Sequence, residues 1–193
     1  GNAGWSYADV LPYFKRAECN GHGEDTFHGG SGPLPVTRAK VRNPGQKAWI
    51  EAAVQAGYPY SDDHNGSAPE GFGPAEHTIR NGRRMSTAAA YLRPARKRVN
   101  LTVRTNAHVT RLLFDGKRAF GVEYLQDGKV RKAHAAREVI ASGGTFQSAQ
   151  LLMLSGIGEG DHLRSFGIRP VVDLKGVGLN LHDHIGTQVQ IAS

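Results

Sequence analysis

The chain has 193 residues, room for one domain or for parts of two. A hydrophobic share of 39% and a charged share of 21% suit a soluble globular protein, and no apolar run approaches the roughly 18–20 residues that a transmembrane helix needs. The single cysteine, Cys19, excludes an internal disulfide or a thiolate metal cluster, and the net charge of +7 comes from one acid-free window between Glu76 and Asp115.

Taken in chain order, residues Trp5 to Glu18 predict a helix: Ser6 can cap it with Asp9 three positions on, and Val10, Leu11, Phe14 and Ala17 recur at helical spacing. Gly21 to Gly32 is a loop. Gly32 to Thr37 reads as an edge strand, because Pro33 and Pro35 remove ladder donors. A second helix starts at Asn43 or Pro44, carries Ala48, Trp49, Ala52, Ala53 and Ala56 on one face, and ends at Gly57. Tyr58 to Gly73 is a long loop, Phe72 to Ile79 a strand, and Asn81-Gly82 a turn. Ser86 can cap a third helix through Leu92, with Pro94 limiting its far end.

The middle of the chain is the most explicit. Leu101-Thr102-Val103 predicts a short strand. Val109–Phe114, Ala119–Leu125 and Val130–Ala135 follow, separated by Asp115-Gly116 and Asp127-Gly128, and this predicts a three-stranded antiparallel meander. Glu138 to Ser142 is short, apolar and β-branched, like a strand buried on both faces. Gly143-Gly144 turns into a helix over Gln147–Leu154 that ends at Ser155-Gly156. Asp161 to Phe166 is a short helix closed by Gly167, Pro170 to Leu174 is extended, Gly176-Val177-Gly178 is a turn, and His184 to Ala192 reads as a final strand.

Chemistry follows from three features. The strand–Gly143-Gly144–helix joint brings bare backbone to the end of a sheet, where a nucleotide can approach helix N–H groups unhindered by a Cβ. A full G-x-G-x-x-G fingerprint is missing, since Gly176-Val177-Gly178 and Gly156-Ile157-Gly158 have the wrong continuation, so the chain is not expected to grip a dinucleotide alone. His182-Asp183-His184 raises a metal site or a general base, but no second His/Cys cluster supports a metal. The acid-free window could attract nucleic acid, yet only Tyr91 interleaves with its bases, which leaves no stacking platform; nucleic acid is therefore not expected as a partner. Nucleophile elbows and P-loops are absent from the sequence.

Residues 144–158, Gly-Thr-Phe-Gln-Ser-Ala-Gln-Leu-Leu-Met-Leu-Ser-Gly-Ile-Gly, closely resemble the second signature of the glucose–methanol–choline (GMC) oxidoreductases. Gly4-Trp5-Ser6-Tyr7 with Pro12 to Glu18, Gly29 to Leu34, Arg84-Met85-Ser86 with Ala90-Tyr91-Leu92, Asn100 to Val103 and Gly176 to His184 agree in the family's order. The family usually has Pro at Ala149 and often Ala at Gly143; Ala149 is expected to loosen the helix start slightly.

The resemblance implies a mixed α/β (α+β) fold: part of an FAD-binding domain with the antiparallel meander, plus part of a substrate-binding domain. It implies substrate-side segments at 1–98 and 176–193 and the later part of the FAD-binding domain at 99–175. It implies FAD as the cofactor of the parent protein, not retained by this piece alone, and oxidation of a primary alcohol, choline among the candidates, by hydride transfer to the flavin. An electron acceptor is then a second partner. Val109 is similar to the family valine whose backbone meets the adenine, and Ser142, Gly143 and Gly144 resemble residues beside the adenosine. The catalytic histidine and its partner would lie beyond Ser193 and the G-x-G-x-x-G unit before Gly1, so no catalytic residue is expected within the chain. His182 and His184 fall in a family turn away from the catalytic pair. The expected location is cytoplasmic, with contact to the inner membrane as a variant. The competing reading is a non-catalytic binding module on the same scaffold.

Overall fold

The computed structural model describes residues 2–186. It divides into two compact units, Gly1–Val103 and Arg104–Ser193.

In the first unit, helix α1 (Tyr7–Ala17) begins at the expected capping box: the Ser6 hydroxyl accepts from the Asp9 amide at 3.4 Å, and the Asp9 carboxylate accepts from the Ser6 amide at 3.0 Å. The chain then leaves the helix at once into strand β1 (Glu18–Asn20), which sequence periodicity did not separate from the helix. After a loop comes β2 (Leu34–Arg38), parallel to β1 with Glu18 beside Leu34 and Asn20 beside Val36. Helix α2 (Pro44–Gln55) is capped by Asn43, whose side chain accepts from Gly45 at 2.8 Å, and it gives way to Gly57 at a φ of 91°. Short strands β3 (Glu76–His77), β4 (Ile79–Arg80) and β5 (Arg83–Arg84) follow.

Three expectations change here. β2 is the middle strand of the order β1-β2-β3, not an edge; it tolerates Pro35 because β3 flanks it only at Thr37 and Arg38, beyond the proline. The strand expected over 72–79 is regular only at β3 and β4. The third helix is a π-helical turn, Ala88–Leu92, that runs on into the short α3 (Arg93–Ala95), which ends one residue past Pro94. Ser86 does accept from the Ala89 amide at 3.3 Å.

In the second unit the meander is present as β6 (His108–Asp115), β7 (Arg118–Gln126) and β8 (Lys129–His134), in the order β6-β7-β8. Asp127 and Gly128, at φ 53° and 71°, make the β7–β8 turn between the pair Gln126 and Lys129. The first turn differs: Asp115 pairs with Arg118, so the loop is Gly116-Lys117. Leu101–Val103 is not a strand, and Glu138–Ser142 is neither a strand nor buried, with Ile140 77% exposed. Both runs have β propensity, but among the described residues neither has a strand beside it, and pairing is what makes a strand.

Helix α4 (Thr145–Leu154) starts two residues earlier than expected, so Ala149 is its fifth residue and lies past the first turn where proline would help. Strand β9 (Ile157–Gly158), unforeseen in the sequence, pairs in parallel with β10 (Val172–Asp173) around helix α5 (Gly160–Ser165), whose Leu163 is fully buried at 1% exposure. Residues 181–186 have no regular structure, and the remainder of the strand expected to Ala192 lies outside the described residues.

One side chain ties α4 to the meander. The buried Ser155 hydroxyl accepts from the Leu112 amide at 2.8 Å and donates to the Leu151 carbonyl. Leu112 is itself buried, so Ser155→Ala strands its N–H away from water; the expected cost is about 1–3 kcal/mol, read as a lower urea midpoint at unchanged slope.

Candidate functional site

Val109 and the adjacent pair Ser142 and Gly143, at least 33 residues further along the chain, line one cleft of about 460 Å³ in the second unit. Its walls are largely apolar, with Leu112, Val122 and Leu151 on the meander and α4 sides and Gln147 and Gln150 as polar groups. Val109 reaches this wall beside a β-bulge, where the β6–β7 register slips between Val109 and Arg111. The extra residue, Thr110, bonds through its hydroxyl to the Glu123 carbonyl at 3.2 Å. A bulge bends a strand locally and re-aims its side chains, a device common next to binding sites.

Gly144 does not line the cleft; it is the residue before α4, at φ 90° and ψ 176°. That backbone region is essentially closed to any residue with a Cβ. Its neighbour Gly143 donates to the Ser148 hydroxyl at 3.0 Å, and a Cβ built on Gly143 would stand 3.3 Å from that of Gln147. No side chain caps α4, so its first amides face outward beside the cleft with the positive end of the helix dipole behind them. These residues fit the adenosine end of a nucleotide: an apolar wall for a flat base, a hydroxyl at Ser142, two positions without a Cβ, and free amides.

His182 and His184 are exposed in an irregular stretch, where the His184 amide donates to Asp183 at 2.8 Å. They join no group of three or more His, Cys, Asp or Glu side chains poised for a metal among the described residues.

The first unit holds a cluster that sequence reasoning missed. His28, 6% exposed, stands between two carboxylates: Nδ1 is 3.1 Å from Glu18 Oε1 and Nε2 is 3.1 Å from Asp63 Oδ2. Burial pushes the imidazole down, but hydrogen bonds to Glu18 and Asp63 and their charges outweigh it, so its pKa is raised. Burial likewise raises Asp63, but the Asn65 amide and His28 outweigh it, and its pKa is lowered. Asp25 holds the same loop by accepting from the Phe27 and His28 amides, both at 2.7 Å, and those bonds lower its pKa. Partners 10 and 35 positions from His28 leave no mark on local spacing.

The GMC oxidoreductase family model matches residues 1–186. Mitochondrial choline dehydrogenase of Mus musculus is 50% identical over 192 residues, covering all of this chain and 32% of that protein. Oxygen-dependent choline dehydrogenase of Burkholderia cenocepacia is 50% identical over 188 residues, 96% of this chain and 33% of that protein. Among solved structures, pyridoxine 4-oxidase from Mesorbium loti superposes with a TM-score of 0.78 at 33% identity over 90% of this chain and 34% of its own. An FAD-dependent oxidoreductase from Chaetomium thermophilum gives 0.81 at 27% identity, again over 90% of this chain and 33% of its own. The chain thus spans about a third of the length of the curated relatives it matches. Its mixed α/β fold and its sequence, from the meander through the Gly143-Gly144 bend, place it in the GMC oxidoreductase family.

Proposed function

We propose that this chain is part of an FAD-dependent alcohol dehydrogenase whose cleft at Val109, Ser142 and Gly143 holds the adenosine end of the flavin dinucleotide. The observation that carries this reading is the convergence of those three residues on one apolar cleft beside the Gly144 bend and the uncapped start of α4. Residues 99–175 serve as the later part of the FAD-binding domain, and residues 1–98 and 176–193 as substrate-side segments. Bound flavin supplies a two-electron acceptor for hydride from the alcohol carbon. This chain's own part is to position the dinucleotide: the Val109 backbone meets the adenine, Ser142 offers a hydroxyl, and Gly143 and Gly144 let backbone approach. It supplies no catalytic side chain. Choline is the proposed alcohol, because two relatives at 50% identity are choline dehydrogenases. Among the described residues no helix is long and apolar enough to cross a membrane.

The test is flavin occupancy of the complete polypeptide. Val109→Glu, at a partly exposed position that tolerates a charge, is expected to weaken FAD binding about tenfold or more, equivalent to about 1.4 kcal/mol. Gly144→Ala is expected to act in the same direction through backbone strain. Flavin absorbance per protein, with far-UV circular dichroism as the folding control, reads both. Full flavin content and unchanged choline oxidation in folded Val109→Glu protein would refute the assignment.

A further inference from the structure

The β4–β5 hairpin of the first unit carries a charge arrangement that the flavin reading does not use. Arg80 and Arg83 are directly paired across the antiparallel ladder, and Arg84 faces Ile79 at the next position. Like charges directly opposite one another destabilise a hairpin. The turn between them, Asn81-Gly82 at φ 52° and 71°, fixes that register, and Thr37 anchors the strand from β2 by donating to the Ile79 carbonyl at 3.2 Å. Arg93, from the start of α3, joins Arg80, Arg83 and Arg84 around one cleft of about 500 Å³, completed by Asn81, Met85 and Ala89. The cleft has no acidic side chain in its lining. Among the described residues the ion-paired arginines are Arg38, Arg111 and Arg164, and none of these four. All four are exposed.

The residue type is informative too. Of the nine bases between Glu76 and Asp115, only Lys97 is a lysine. A face that merely needs hydration is served by either residue, whereas a planar guanidinium fork matches the oxygens of a phosphoryl group two at a time. A multivalent anion seated among the four would also relieve the Arg80–Arg83 repulsion, which a single chloride would do less well.

We infer that the cleft formed by Arg80, Arg83, Arg84 and Arg93 is an anion site for a phosphoryl group, carried either by a small free phosphate or by a lipid phosphate headgroup. The site shares no lining residue with the flavin cleft, and it is tested in flavin-saturated complete protein, titrated with inorganic phosphate at constant ionic strength by calorimetry. Saturable binding is expected, and Arg83→Glu should weaken it at least about tenfold, because one fork is lost and a repelling carboxylate is added. The same substitution turns a repulsive cross-strand pair into an attractive one, so the phosphate-free variant should melt no lower than the parent, which shows that it folds. Arg96→Glu, an exposed base that does not line the cleft, should change the affinity less than about twofold. A second arm uses vesicles of phosphatidylcholine with and without phosphatidic acid. Sedimentation with the acidic vesicles that Arg83→Glu abolishes assigns a lipid headgroup, and phosphate saturation without vesicle binding assigns a free ligand. The inference is overturned if neither probe binds saturably, or if Arg96→Glu weakens binding as much as Arg83→Glu, the mark of unspecific attraction to a basic surface.

Discussion

His28→Ala is expected to lower the unfolding free energy by about 2–3 kcal/mol, measured by urea denaturation near pH 6. Removing one member of a buried charged pair leaves its partner uncompensated, a loss of roughly 3–5 kcal/mol in fully buried cases. The effect here is smaller because the Asp63 side chain keeps 33% of its exposure, although that of Glu18 keeps only 18%. The pH dependence has a definite sign. The folded-state pKa of His28 is raised above its ordinary value of 6.5, so its contribution is complete below that value and is lost as pH rises through the raised folded value. Asp63 runs the other way: its folded pKa is depressed below 3.8, so its contribution is present above 3.8 and is lost as pH falls through the depressed value. Asp25, also lowered, adds to the acid-side loss in both proteins. The gap in stability between parent and His28→Ala should therefore be widest between pH 3.8 and 6.5 and close on the alkaline side. A gap that keeps its size on the alkaline side as well would mean that the ring is held neutral.

The second large effect is expected at Gly32. A Cβ there would overlap the Ala17 carbonyl and stand 2.5 Å from the Glu18 amide nitrogen, where α1 hands over to β1. The Gly32 amide donates to the Glu18 carbonyl at 2.7 Å, so the approach is backbone to backbone and cannot be relieved by turning a side chain. Gly32→Ala should push β2 off β1 at its first pair, at a cost of about 3 kcal/mol or more. Gly176→Ala is the matched control: nothing lies within 4 Å of its Cβ and its φ is ordinary, so a change near zero or slightly stabilising is expected. Thermal melts of the two variants side by side check both values. Equal melting temperatures would show that the α1–β1 junction yields easily.

What could be read in advance divides by the range of the interaction. The capping box at Ser6 and Asp9, the Asn43 cap, the Gly57 and Gly167 helix ends and the Asp127-Gly128 turn are all set within a few residues, and each stands where the sequence put it. The meander was legible for the same reason, since its strands are joined by short turns. Strands that depend on distant partners were misjudged in both directions. β1 and β9 form because β2 and β10 lie beside them, while the apolar runs at Leu101 and Ile140 find no neighbour among the described residues. At the candidate site, residue type and resemblance pointed to Val109, Ser142 and Gly143, but nothing in the spacing showed that they share a cleft. The Glu18–His28–Asp63 bridge had no local signature at all, because its three members come from a strand and two separate loops.

The meander's two outer borders are finished in different ways. On one, the Ser155 hydroxyl occupies the Leu112 amide that β6 would otherwise offer to a visiting chain. On the other, every residue of β8 is exposed, and Lys129, Arg131 and Lys132 line it with positive charge. An incoming copy of the same strand would bring its own lysines into register with these and be repelled. Both flanks therefore resist growth by self-stacking, through an occupied amide on one and positive charge on the other.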